Sequence, residues 1–493
     1  MGNLGQAVAT ALLPDAILVV IAGVAALLGA LRPGHRPSLY RWMACIALAG
    51  AVAASGFELV GMRTLKSGIG LDTFGGGLVA DHLSVYVTIT ACTVAFIACL
   101  LSDSYIRRIP SRAPAFFALL LMAVAATSTL AAEHEMITFF VALQTLVVCL
   151  GLICALTKTE ARSASAGFAV LREGAIASAV LLYGLAILYG ATGTTDFRAV
   201  AGAAHRAPLL VAAGVTLTLV GLSYSAGVLP FRRWLRLVAE DVPALPASVV
   251  LALGAAAGAV AWLRFGVDGL GDGVRLWVVL AAIIAAATSL YAGLAALRER
   301  SLRRLLAHLV SAQAAVLLLG AISFSGNAGK VLPGGATAVL FAIGLFSFGI
   351  LAVFAVLAML DNAGLDSGID DLRGLGHRSP AAALLLAITL AALVGLPPLG
   401  GFIARLVVFE SAVGSGLAWL VVVQLAATGL LAAGVARFLT AIYGEAGDER
   451  PFTLRATPRL GRSVAVACCL GVFLLGVISQ PLLVLASGGA SVL

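Results

Sequence analysis

The sequence holds 493 residues, 61% of them hydrophobic and only 11% charged, with a mean hydropathy of +1.08. Soluble domains carry about 25% charged residues, and no stretch here is polar enough to cover even one such domain, so a soluble fold is excluded. The formal charge of +8 comes mostly from arginines scattered over seven short loops, which argues against a nucleic-acid-binding surface.

An apolar run of about 20 residues spans a bilayer as a helix, and such runs recur from end to end. In chain order they are predicted at Leu12–Leu31, Trp42–Val60, His82–Leu101, Ala115–Ala132, Met136–Leu156, Ala166–Gly190, Pro208–Leu229 and Ala247–Phe265. They continue at Leu276–Leu297, Leu302–Ile322, Ala336–Leu360, Pro380–Val408, Leu417–Tyr443 and Ser463–Ala486. These fourteen runs are too long for strands and do not alternate, so the expected class is an all-α integral membrane protein. The first run has no basic residue before it and no cleavage site leading into a soluble domain, so it is expected to stay as a membrane helix. Cys45, Cys92, Cys99, Cys149, Cys154, Cys468 and Cys469 all fall inside runs, with no CxxC or Cys/His spacing. They fit small apolar packing, and no metal site is expected. The 55 glycines predict close helix–helix contacts.

Loop charges set an expected orientation. Alternate loops carry Arg32, Arg36 and Arg41; Arg107, Arg108 and Arg112; Lys158 and Arg162; Arg232, Arg233 and Arg236; Arg298, Arg300, Arg303 and Arg304; Arg373 and Arg378; and Arg450, Arg455, Arg459 and Arg462. The other set has Arg63, Lys66, Arg198, Arg206, Arg264, Arg275 and Lys330. The richer set belongs in the cytoplasm, which puts both termini on the outer side.

Two runs carry helix breakers. Gly221 to Trp234 includes Pro230, and Val394 to Arg405 includes Pro397 and Pro398. Interruptions are expected around Ser223–Gly227 and Gly395–Gly400. Proline removes a backbone donor and clashes with the preceding turn. Each site is then either a packing kink or one of a pair of broken helices of the kind that line ion paths in transporters built from inverted repeats.

Longer stretches resemble a known family. Leu181 to Phe197 looks like its sixth helix and the loop after it, and Gly221 to Trp234 like its broken seventh. Arg303-Arg-Leu-Leu-Ala-His308 resembles the start of its tenth helix. Asp370 to Pro380, followed by Gly395-Leu-Pro-Pro-Leu-Gly-Gly-Phe402, resembles the approach to its twelfth helix and the break within it. The family is the antiporter-like membrane subunits of respiratory complex I, with subunit N of NADH–quinone oxidoreductase the most similar member. The resemblance runs from about Ala115 to Gly444, and the ends agree in helix count. It implies fourteen helices with two inverted five-helix units. The chain then divides into three N-terminal helices (1–114), a first unit (115–265), a second unit (266–444) and a last loop and helix (445–493). It implies a multi-pass subunit in the cell membrane, seated among other membrane-arm subunits of an enzyme that couples NADH oxidation and quinone reduction to proton export. FMN, iron–sulfur clusters and quinone would belong to other subunits, and this chain would bind no cofactor and act as a non-redox subunit.

The family's proton path needs ionisable groups inside the membrane, and here the sequence departs from the pattern. By resemblance the fifth-helix glutamate falls on Gln144, the seventh-helix lysine on Ser225, the eighth-helix lysine on Ala255 and the tenth-helix histidine on Gln313. Only the twelfth-helix lysine keeps a positive charge, as Arg405. The three lysines, Lys66, Lys158 and Lys330, all sit in predicted loops. Gln144, Ser225 and Gln313 do not titrate near neutral pH, and Arg405 is a fixed charge. Candidate substitutes are Arg172 and Glu173, about two turns into the sixth helix, and His308 at the start of the tenth. Adjacent residues point about 100° apart, so spacing does not pair Arg172 with Glu173. Glu58 and Glu410 are expected at solvated helix ends, and Arg437 is expected to snorkel to the cytoplasmic side.

Three functions fit these residues. One is a subunit N or N-like paralogue of a proton-translocating NADH–quinone oxidoreductase with its own proton path degenerate. A second is a non-conducting scaffold of a complex I-like or hydrogenase-like assembly, and a third is a subunit of a multisubunit cation/proton antiporter.

Overall fold

The computed structural model describes residues 2–31, 36–64, 71–73, 77–157, 161–204, 206–270, 275–325, 333–445, 459–478 and 486. All three lysines lie outside these residues, as does most of the predicted end of the last helix.

The N-terminal helices are α1 (Gly2–Leu31), α2 (Pro37–Thr64), α3 (His82–Leu101) and the single turn α4 (Asp103–Ile106). The first unit holds α5 (Ala113–Ala132), α6 (Met136–Ala155), α7 (Ala161–Thr192), the short α8 (Arg198–Ala203), α9 (Pro208–Ala226), α10 (Arg233–Asp241) and α11 (Ala244–Leu263). The second holds α12 (Arg275–Ala296), α13 (Leu302–Ser325), α14 (Pro333–Asn362), the single turn α15 (Leu375–Arg378), α16 (Pro380–Val394), α17 (Gly400–Gly414) and α18 (Ala418–Tyr443); α19 (Arg459–Val477) follows. Among the described residues, twelve helices are long and apolar enough to cross a bilayer. The split pair α16/α17 and α19 complete the fourteen predicted crossings. The chain is a multi-pass membrane protein. One small departure is a two-stranded antiparallel ribbon, β1 (Leu71–Thr73) on β2 (Leu78–Ala80), too short to show as a sequence pattern.

The fourth crossing of each unit is the broken one. Four crossings lie between α9, the seventh, and α16, which begins the twelfth, so the two run in opposite directions through the membrane, as inverted repeats require. The first break lies later than the sequence predicted. Helix α9 is intact through Ala226, and the interruption covers residues 227–232. The reason is Gly221, which serves packing rather than breaking: a Cβ there would lie 2.7 Å from the Leu181 backbone. The second break, from Gly395 to Leu399, falls where expected.

Helices α7 and α9 form the most intimate pair in the fold. A Cβ on Gly184 would meet the Thr218 nitrogen at 2.6 Å, and one on Gly214 would meet the Leu188 side chain at 2.8 Å. Backbone lies against backbone, as small residues permit in membranes. The arginine-rich loops collect at one end of the bundle. There Arg303 pairs with Asp361 at 2.5 Å, Arg304 with Glu240 at 2.7 Å, and Arg108 donates to Asn362 at 2.8 Å.

Candidate functional site

Both breaks end their helices in the same way. Gly227 has φ +69° and Gly395 φ +87°, values that favour glycine. The amide of Val228 donates to the Ser223 carbonyl and that of Gly227 to Tyr224, both at 3.0 Å. At the second break Leu396 donates to Ala391 at 3.0 Å and Gly395 to Ala392 at 3.1 Å. These are matched left-handed glycine caps. Backbone groups freed by a break in lipid need partners, and at the first break they find them. The Gly227 carbonyl accepts from the Ser311 hydroxyl at 2.9 Å, the Tyr224 carbonyl from the Trp234 indole at 2.9 Å, and the Leu229 amide donates to the Thr288 hydroxyl at 3.1 Å.

Arg232, in the first break, organises the groups beside it. Its Nη2 donates to His308 Nδ1 at 2.7 Å and its Nε to the Ser311 hydroxyl at 3.2 Å, while its guanidinium carbon sits 4.3 Å from the centre of the Tyr291 ring. Arginine stays charged. A guanidinium only donates, so His308 Nδ1 is the acceptor, and the ring proton is on Nε2 facing Glu299 Oε1 at 3.1 Å. Both ring nitrogens of His308 are occupied, as in a structural histidine.

The other candidate substitutes meet the break from α7. Glu173 Oε1 lies 3.9 Å from Arg172 Nη2 and 4.0 Å from Arg233 Nε, and the Trp234 amide donates to its carboxylate. The expectation that Arg172 and Glu173 do not pair needs correction. The long arginine side chain bends back to the carboxylate at the limit of ion-pair distance. The Arg172 side chain is 51% exposed on the outer face of α7, against 13% for Glu173.

The polar positions assigned to the proton path bond to neighbouring groups and not to one another. Gln144 accepts from the Ser178 hydroxyl at 2.5 Å, and Ser225 donates to its own helix at Leu222 at 2.9 Å. Ser225 borders a cavity of about 20 Å³ whose other lining residues include Val170, Tyr224, Trp234 and Gly254. Ala255, the next residue on α11, offers no polar group. Gln313 donates to the Leu393 carbonyl at the end of α16. Arg405, 3% exposed, donates through Nη1 to the Thr428 hydroxyl at 2.6 Å. Pro230 lies in the first break and Pro397 and Pro398 in the second.

Two expectations about charged residues change. Glu58, read as a solvated helix end, is 4% exposed; the packed faces of α1, α2 and α3 close over it. Arg264, read as a loop charge, is 1% exposed in a π-helical turn at Arg264–Leu270 that follows α11. Its Nη2 lies 2.7 Å from both Asp81 oxygens, and its Nε donates to the Ala131 carbonyl at 2.6 Å. The sequence signal for Asp81 was available: it caps α3 in a reciprocal box with Ser84. Glu410 is exposed, as expected. Arg437 donates to the Leu297 carbonyl from an exposed position. Among the described residues no group of three His, Cys, Asp or Glu side chains could hold a metal.

Two inverted units, each with a broken fourth crossing closed by a left-handed glycine, define an antiporter-like membrane subunit. The family model described as NADH:quinone oxidoreductase/Mrp antiporter, TM, matches residues 133–430, and the chain belongs to that family. NADH-quinone oxidoreductase subunit N of Moorella thermoacetica is 30% identical over 475 residues, covering 96% of each chain. Subunit N 2 of Roseiflexus castenholzii is 30% identical over 423 residues, covering 84% of each. Among solved structures, a chain of respiratory complex I from Thermus thermophilus with bound aureothin superposes with a TM-score of 0.77 at 26% identity, over 97% of this chain and 100% of that one. A chain of the Mrp complex from Dietzia sp. superposes with a TM-score of 0.82 at 20% identity, over 99% and 97%; that likeness is one of fold.

Proposed function

We propose that this chain occupies the subunit N position in the membrane arm of a complex I-type NADH–quinone oxidoreductase, and that its own proton path is degenerate. The parent enzyme couples NADH oxidation and quinone reduction to proton export, with FMN, iron–sulfur clusters and quinone in other subunits. The chain lies in the cell membrane with both termini on the outer side, in keeping with its loop charges. The half-exposed Arg172 on the lipid-facing side of α7 is the kind of charge that a neighbouring subunit covers.

One observation carries the degenerate path. None of the five positions holds a group that exchanges protons near neutral pH, and each polar one is already bonded to an adjacent hydroxyl or carbonyl. A cation/proton antiporter would need the same groups.

The test is pH-gradient decay in proteoliposomes. The parent chain is expected to leak protons no faster than protein-free vesicles. The double variant Gln144→Glu with Ser225→Lys restores the family's charge pair and is expected to raise the rate if the cavity beside Ser225 hydrates. Inhibitor-sensitive proton flux through the parent would overturn the non-conducting part of the proposal and direct mutagenesis to Glu173 and His308.

A further inference from the structure

Arg405 is a buried cation whose counter-charge does not come from this chain's described residues. Nη1 meets Thr428, while Nε and Nη2, both sealed from solvent, have no acceptor. The helices packed on α17 are α13, α14, α16, α18 and α19. Along all five, the only carboxylate is Asp361 at the end of α14, and Arg303 holds it at 2.5 Å. On α17 itself, Glu410 is five residues further on, about 140° round the helix, and exposed.

The remaining ways to relieve the charge fail in turn. Arginine does not shed its proton in proteins. A carboxylate on another subunit does not reach a residue that is 3% exposed. The nearest helix end adds positive potential, because α17 begins at Gly400 with no side-chain cap and Arg405 lies in its second turn. Hydroxyls and carbonyls satisfy hydrogen bonds but do not neutralise a buried cation.

We propose that Nε and Nη2 of Arg405 hold a small monovalent inorganic anion of the halide class at the break between α16 and α17. Close packing favours a monatomic ion over an oxyanion: a Cβ on Gly395 would lie 2.6 Å from Arg405 Cδ, so backbone already presses on the side-chain stem. The site turns a position that the family resemblance assigns to a proton-carrying lysine into an anion-holding one. It stands on the surroundings of Arg405 and holds whichever way the proton-flux measurement falls.

The test uses the full chain in nanodiscs, with chloride as the probe. Chloride-35 NMR line broadening is expected to saturate with chloride, to be displaced by bromide, and to lose its saturable part in Arg405→Gln. Glutamine keeps a donor for Thr428 and removes the charge. Thermal unfolding of the parent is expected to shift upward in chloride relative to gluconate at equal ionic strength, with no shift in the variant. Should Arg405→Gln fail to fold, the parent's saturable and bromide-displaceable broadening decides, with Thr428→Val, which keeps the charge, expected to retain it. Absence of saturable broadening in the parent, or equal broadening in Arg405→Gln, would overturn the proposal and leave water as the partner of Nε and Nη2.

Discussion

Asp81→Asn is a sharp perturbation of this fold because it removes one charge and little else. The asparagine oxygen still accepts from the Ser84 amide, now at 2.8 Å from Asp81, so the cap of α3 survives. What is lost is the charge that Asp81 sets against Arg264, which is 1% exposed and lies 2.7 Å from both carboxylate oxygens. Removing one partner of a buried pair costs about 3–5 kcal/mol, against about 1 kcal/mol for a cap. That is roughly a hundred- to several-thousand-fold in the unfolding equilibrium, at 1.4 kcal/mol per factor of ten. Arg264→Met is expected to cost a similar amount, since it strands Asp81. The double variant is expected to recover most of the loss, because no lone charge remains. Unfolding is read with a thiol-reactive dye, as all seven cysteines are buried in the fold. A cost for Asp81→Asn within about 1 kcal/mol of zero, or losses that simply add in the double variant, would refute the assignment of this pair as a structural tie.

Three further outcomes are expected. Burial pushes the Glu133 carboxyl from 4.5 up to about 7, with Glu135 and Asp15 acting in the same sense and Thr138 and Arg264 against it. The folded state therefore holds a proton that the unfolded chain has lost. Stability from this group is full below pH 4.5 and falls as pH rises through about 7, by roughly 3 kcal/mol; Glu133→Gln should flatten that slope in unfolding measured from pH 4 to 8. Gly395→Ala and Gly364→Ala both place a side chain at positive φ, +87° and +76°, at a cost of about 1–2 kcal/mol. Only Gly395 also meets Arg405, at 2.6 Å, so its variant should lose the more stability, and equal losses would refute the close approach. Finally, a membrane-impermeant thiol reagent applied from outside should label Asp196→Cys and spare Asp366→Cys, both at exposed positions; the reverse pattern would invert the orientation.

The helices were legible because lipid leaves the backbone no other partner, so length and apolarity alone locate each crossing. The breaks were legible in kind, from glycine and proline, but the first was misplaced. Gly221 and Gly227 look alike in sequence, and only the packing of Leu181 separates a contact glycine from a cap. The charge networks were hidden for a different reason. Arg232 and His308 stand 76 residues apart, and Arg264 and Asp81 are separated by 183. Such pairs depend on which helix ends meet, which hydropathy does not encode. The burial of Glu58 was hidden in the same way, since a helix end looks solvated until its neighbours are known. Arg405 was the opposite case: the absence of an acid around it could be read directly from the composition of the helices that turn out to enclose it.

The glycine-lined seam between α7 and α9 also limits how the molecule can move. A Cβ added at Gly184 or Gly221 would fall within 2.7 Å of the facing backbone, so the two helices meet backbone to backbone with no side chain between them. The two therefore behave as one rigid strut. The break itself, residues 227–232, is held by other means: Gly227, Leu229 and Arg232 bond to Ser311, Thr288 and His308 on α12 and α13. One half of the crossing is thus fixed by backbone contact within the first unit, and the break by side-chain bonds to the second.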